Sequence, residues 1–265
     1  MVLFNAAHRE CVSNDPGIMV KKSRVDRASD QDRRARGQKK LVRNHWEGSR
    51  RLKAWDWMAV DHKEREYLLT PSKDVFEFAL QLSRCGKKKI YDLGCGIGRN
   101  LFLLIEMGFD VCGSDYSLDT VKEVNRRLEE IKYPRRVKHE SMTEISEPDE
   151  AYDAVVAYNV VYHSYVADMR KTLGHIHRIL KPGGSLLITF QSKRSPSYIK
   201  KEEAEPGTVT KKEGSEAGIP HHFVDRNELF EMLSGYRILE LNHVEHEYDE
   251  LKSKSCHFIA IALEL

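Results

Sequence analysis

The chain has 265 residues, 43 Lys and Arg against 41 Asp and Glu, a net charge of +2 and 40% apolar residues. That length suits one substantial α/β core, the charge balance gives the whole chain no preference for a polyanion, and no run approaches the ~20 apolar residues that cross a bilayer. The five cysteines are odd in number and lack CxxC spacing, and MVLFNAAHRE has an early acid and no long apolar core, so a cytosolic protein with reduced thiols, no signal peptide and no metal site is expected.

In chain order, Lys21 to Arg43 is dense in Lys and Arg and poor in apolar residues, which reads as a solvated, disordered arm, with Met19 as a candidate start. The expected division is a basic segment 1–44 and one domain 45–265. Between His45 and Tyr67 the aromatic residues Trp46, Trp55 and Trp57 recur among charges, suggesting an amphipathic helix that packs on the core or lids a pocket. Pro71 opens a helix carrying Val75, Phe76, Phe78, Ala79 and Leu82, and Gly86 lies near its end. Lys89 to Leu93 is a first strand. Leu101, Leu103, Leu104 and Met107 then recur at helical spacing, and Phe109 to Gly113 is a second strand. Ser117 can cap a helix with an apolar stripe of Leu118, Val121, Val124, Leu128 and Ile131. A third strand falls near Val137 and a fourth at Tyr152 to Tyr158. Val166, Met169, Leu173, Ile176 and Leu180 mark a helix before the Pro182-Gly183-Gly184 turn and a fifth strand, Ser185 to Phe190. Residues 191–222 read as a long polar loop that closes over a ligand. Asp225 to Leu233 is a helix, and strands near Ile238 to Val244 and His257 to Leu263 finish the chain. The alternation predicts an α/β fold with a mainly parallel sheet and its ligand over the strands' carboxyl ends.

The most informative stretch is YDLGCGIGRN, residues 91–100, where a strand meets a helix through Gly94, Gly96 and Gly98. Without Cβ atoms, these positions take positive φ or let a ligand lie against the main chain. Asp115 ends the second strand about 21 residues past Gly94, near the ~20 expected of an acid that accepts hydrogen bonds from ribose hydroxyls. The pattern is GxGxG, with Arg99 where a dinucleotide motif places its third glycine, so an adenosine handle is expected and a pyrophosphate is not.

With GSDYS at 113–117, YDAVVAYNVVYH at 152–163 and HRILKPGGSLLITF at 177–190, this stretch resembles the class I S-adenosylmethionine-dependent methyltransferases, and GIPHHFVDRNELFEML at 218–233 is similar to their small-molecule and tellurite-resistance-like branch. The resemblance implies a Rossmann-like fold with a mainly parallel seven-stranded sheet and helices on both faces, and S-adenosylmethionine as cofactor. It implies that Asp92, Gly94, Gly96 and Gly98 hold the methionine end, Asp115 the ribose and Tyr116 one face of adenine. Cys95 and Asn100 in the same turn, Ser117 after Asp115, Ser141 and Met142 at the adenine side, and Asn159 after the fourth strand complete the expected cofactor set. The family commonly has an Asp where Ser141 stands.

Methyl transfer from a sulfonium is an in-line displacement that needs positioning above all, and a base only where the acceptor must lose a proton. Tyr162 and His163 after the fourth strand, and His222 after the loop, are the catalytic candidates, with His221, Tyr158 and Gln191 near them. His175 and His177, on a helix, read as surface or packed residues. The expected partner is a small-molecule acceptor, with no membrane and no indicated oligomeric state. The alternatives are an RNA-directed enzyme using the basic arm and a non-catalytic adenosyl-ligand module.

Overall fold

The computed structural model describes residues 69–212, 216–248 and 253–265. The expected arm 1–44 and the aromatic stretch 45–67 lie outside the described residues.

Strands alternate with helices as the periodicity dictates. The first half comprises α1 (Lys73–Arg84), β1 (Lys89–Leu93), α2 (Arg99–Glu106), β2 (Asp110–Asp115), α3 (Leu118–Glu130), β3 (Val137–His139) and β4 (Tyr152–Ala157). There follow α4 (Val166–Ile179), β5 (Leu180–Ser192), β6 (Glu203–Glu205), β7 (Thr208–Thr210), β8 (Pro220–Val224), α5 (Arg226–Met232), β9 (Tyr236–Tyr248) and β10 (Ser253–Glu264). Ser117 caps α3 by accepting the Thr120 N–H, and Asp225 caps α5 by accepting from Asn227 and Glu228. Among the described residues no helix is long and apolar enough to cross a membrane.

Strands β3, β2, β1, β4 and β5 pair in that order and in parallel, while β10 runs antiparallel on β5 and β9 antiparallel on β10. These are the seven expected strands, with the last two longer than their apolar cores suggested. Two apolar clusters flank the sheet, and successive strand residues alternate between them as a two-residue period requires. Ile90, Ala154, Val156 and Leu187 join Val75, Phe78, Leu101, Val124 and Leu128 of α1, α2 and α3. Tyr91, Val155, Leu186 and Ile188 join Met169, Leu173, Ile176 and Leu229 of α4 and α5. Helices therefore cover both faces. The strand order reverses between β1 and β4, so the crevice at their carboxyl ends is where such a sheet accepts a ligand.

The segment 191–222 differs from the expected loop. It contains a short 3-10 turn (Lys200–Glu202) and the antiparallel strands β6, β7 and β8. β8 pairs in parallel with the end of β5, Gln191 opposite Phe223 and Ser192 opposite Val224. The other edge of Gln191 carries His257 of β10, and β4 stops pairing at Ala157 opposite Ile188. β8 thus sits on β4's flank of β5, beyond the carboxyl end of β4. Its five residues are all buried, which the two histidines in PHHFV concealed from a reading based on polarity.

Candidate functional site

Gly94, Gly96 and Gly98 all take positive φ, at 66°, 54° and 83°. Gly98 forms the left-handed entry to α2. A Cβ on Gly94 would lie 2.3 Å from Cγ2 of Val160, and one on Gly113 would lie 2.8 Å from the Asp92 carbonyl oxygen, so the turn closes against its neighbours only with glycine at both positions. The Arg127 guanidinium donates to the Ile97 carbonyl oxygen at 2.8 Å and covers the Phe102 ring, holding the bend from outside. The Cys95 N–H donates to the Ser114 carbonyl oxygen. Its thiol is buried in the α1–α3 cluster, and burial pushes it well above its ordinary pKa, which leaves packing as its contribution to the turn.

Two carboxylates define the chemistry. Asp115 accepts the Gly96 N–H on Oδ2 at 2.9 Å and the Ser117 N–H on Oδ1 at 2.8 Å, so it binds the glycine turn to the β2 end while each oxygen keeps a lone pair for a ligand. Burial raises its pKa and these amide donors oppose the rise. Asp92 is 2% exposed, and its Oδ2 has no hydrogen-bond partner. Burial pushes its carboxyl up to about 7, Arg99 acting against that shift and Asp115 with it. A buried carboxylate oxygen without a donor fits a cationic ligand group and is costly otherwise.

The remaining expected cofactor residues divide by what they already touch. The Tyr116 ring lies 6.3 Å from that of His139, whose Nε2 contacts the Tyr116 carbonyl oxygen. Ser141 engages Thr143 through its hydroxyl, and Met142 packs partly buried beside it. Asn100 is buried with its Oδ1 accepting the Ser72 N–H, which ties α2 to the start of α1. The Ser117 hydroxyl is occupied in the α3 cap. Asn159 has φ 57°, rare for a residue with a Cβ, and its N–H donates to Thr189 Oγ1 at 2.7 Å. After this strained turn Val160 lies against Gly94 and Val161 is buried in the core.

On that side, the rings of Tyr162 and His163 meet edge-on at 4.4 Å, and those of His163 and His221 at 4.7 Å. Tyr162 is buried and has its hydroxyl pKa raised by burial. Tyr158 donates its hydroxyl to Asp74 on α1. Glu216, which the sequence did not single out, places Oε1 3.3 Å from His163 Nε2 and Oε2 3.2 Å from His221 Nε2, with Lys211 against the same carboxylate. Burial would raise Glu216, but its contacts with His163 and His221 outweigh burial and hold it well below the usual carboxylate range. Burial lowers His163, against the pull of Glu216, so its ring is neutral at physiological pH.

His222 points elsewhere. Its Nδ1 meets Thr208 Oγ1 at 2.8 Å and its Nε2 meets Glu228 Oε1 at 2.9 Å, and the ring is fully buried. Both nitrogens are engaged in joining β7, β8 and α5, which leaves neither for an acceptor in this arrangement. His175 contacts the Thr143 carbonyl oxygen, and His177 lies near Glu264 and Tyr236.

The parallel sheet with its antiparallel final hairpin, the glycine turn at the switch point and the acid ending β2 define a nucleoside-cofactor methyltransferase fold. Residues 90–184 match the family model of the methyltransferase domain. It is 32% identical over 107 residues to a probable S-adenosylmethionine-dependent methyltransferase of Mycolicibacterium smegmatis, covering 40% of this chain and 39% of that protein. It is 36% identical over 115 residues to the human mitochondrial ubiquinone biosynthesis O-methyltransferase, covering 42% and 30%. The matches thus span well under half the length of these curated relatives. Among solved structures, an S-adenosylmethionine-dependent methyltransferase of Methanosarcina mazei superposes with a TM-score of 0.61 at 19% identity, covering 74% of this chain and 99% of that one. TehB of Haemophilus influenzae superposes with a TM-score of 0.57 at 22% identity, covering 73% and 62%. At these identities the likeness concerns the fold.

Proposed function

We propose that this protein transfers a methyl group from S-adenosylmethionine to a small-molecule acceptor by in-line displacement, in the cytosol. The observation that carries this reading is the unpartnered, buried Asp92 Oδ2 beside a turn of three positive-φ glycines held by Asp115. Asp92 would receive the donor's ammonium group and Asp115 its ribose hydroxyls, with Tyr116 and Met142 at the adenine. The cofactor supplies an electrophilic methyl on a sulfonium. The chain's own part is to orient, desolvate and hold the acceptor. Tyr162 and His163, beyond the end of β4, and Gln191, in the last residues of β5, form the acceptor side, and a neutral His163 suits an acceptor that must give up a proton. The human relative, an O-methyltransferase of ubiquinone biosynthesis by name, supports a small-molecule acceptor.

Two results are expected. Replacing His163 by alanine should lower turnover about tenfold, the scale of a loosened orienting contact, while donor affinity stays unchanged; unaltered turnover would remove His163 from the reaction. Donor affinity should also depend on pH. The ionised form of Asp92 pairs with an ammonium, its carboxyl in the ligand-free protein is held up to about 7, and a bound cation pulls that pKa down. Binding therefore releases a proton near neutrality, and affinity should fall by about tenfold per unit as pH drops below about 7. Calorimetry in buffers of different ionisation enthalpy reads the released proton directly, and a flat affinity between pH 8 and 6 would contradict the Asp92 assignment. The reaction itself is tested by incubating fractionated extract with methyl-labelled donor and identifying the labelled product by mass; donor binding with no labelled product from any fraction would favour the non-catalytic alternative.

A further inference from the structure

We propose that His163, Glu216 and His221 form a binding site for one divalent first-row transition cation, of the Zn2+ or Co2+ kind, beyond the carboxyl end of β4. Their candidate donor atoms all lie within 4.8 Å of one another. They come from two stretches far apart in sequence: His163 from the turn after β4, and Glu216 and His221 from the segment that leads into β8. Ligand atoms that bind such a cation at about 2.0 to 2.2 Å stand roughly 3.0 to 3.5 Å from one another. The Glu216 oxygens lie 3.3 Å from His163 Nε2 and 3.2 Å from His221 Nε2, which is that spacing.

The tautomer of His221 gives a second, independent argument. Its Nδ1 is 3.0 Å from the Ile219 carbonyl oxygen, and a carbonyl only accepts, so Nδ1 carries the proton. With Nδ1 so engaged, Nε2 is the ring nitrogen that faces the Glu216 carboxylate, in a residue that is 0% exposed. The arrangement is also the one by which proteins orient a metal-binding imidazole, the far ring nitrogen donating to a backbone carbonyl. Two imidazoles and one carboxylate suit borderline cations over Mg2+ or Ca2+, and three protein ligands leave positions open for water or an acceptor atom.

Lys211 already places an ammonium against Glu216, so the carboxylate attracts positive charge and a metal ion would compete with this side chain. A bound cation beside the acceptor would lower the pKa of a coordinated hydroxyl or amine; that role rests on the methyl-transfer reading, whereas the binding does not.

The test is a visible-absorption titration of the full chain with Co2+, followed by displacement with Zn2+. The unmodified protein should develop saturable absorption bands at one equivalent that Zn2+ bleaches. Glu216→Gln and His221→Ala should each weaken Co2+ by more than the roughly 10- to 100-fold that the loss of an outer-shell partner costs. Lys211→Met, which keeps all three ligands and removes the competing ammonium, should bind Co2+ several-fold more tightly. Glu216→Gln should still bind S-adenosylhomocysteine as the unmodified protein does, which places the loss at the cluster and separates it from the donor site. No bands under excess Co2+, equal Co2+ affinity in Glu216→Gln, or no gain in Lys211→Met would each overturn the proposal and leave a cluster held by protons and Lys211 alone.

Discussion

Gly94→Ala is expected to destabilise the protein by roughly 2 to 5 kcal/mol and to abolish measurable donor binding. The residue sits at φ 66°, where a Cβ costs roughly 1 to 2 kcal/mol. The added methyl would meet Val160 Cγ2 at 2.3 Å and Cβ at 2.8 Å, and forcing such an overlap into a packed site costs roughly 1 to 3 kcal/mol. Val160 follows Asn159, itself held in a left-handed turn by Thr189, so it has little freedom to withdraw. The glycine turn must move instead, and it carries Gly96, the partner of Asp115. Chemical denaturation and donor calorimetry on the same preparation check both effects. Wild-type stability with wild-type affinity would show that the turn's geometry does not matter to binding.

Asp115→Ala should weaken the donor by about 1 to 3 kcal/mol, roughly five- to 150-fold, through loss of charge-assisted hydrogen bonds to the ribose. The carboxylate also accepts from Gly96 and Ser117, so part of the loss reflects a loosened turn. Asp115→Asn helps to separate the two contributions. It keeps the size and one acceptor oxygen, yet sets an NH2 group against either the Gly96 or the Ser117 N–H, so most of the affinity should still be lost. Unchanged affinity in both variants by calorimetry would contradict the ribose assignment.

The glycine turn and the Asp115 contact that make up the proposed donor half were legible in the sequence because they are local. One strand, one turn and one helix start occupy residues 89–106, and the acid of the next strand follows within a single βαβ unit, so period and spacing alone locate Gly94, Gly96, Gly98 and Asp115. The acceptor half is assembled from distant pieces. Glu216 lies five residues from both Lys211 and His221, a spacing that marks no motif, and it meets the distant His163 because β8 docks beyond β4 and carries His221 with it. The strands that arrange this are short and badly signalled. Glu203–Glu205 and Thr208–Thr210 have three residues each, too few to show alternation, and Pro220–Val224 is fully buried despite two histidines. A polar composition suggested a loop there, while hydrogen bonds such as Thr208–His222–Glu228 make a polar strand tolerable in the interior. Asn100 and Ser117 show the complementary effect. Both stand where the motif places cofactor residues, and in this structure their side chains anchor α1 and cap α3.

The central claim is that the bend from Leu93 to Arg99, with Asp92 and Asp115, binds an S-adenosyl ligand. Isothermal titration of the full chain with S-adenosylhomocysteine measures this most directly. The account predicts saturable one-to-one binding that weakens in Asp115→Ala. The absence of any binding heat up to millimolar ligand would contradict it.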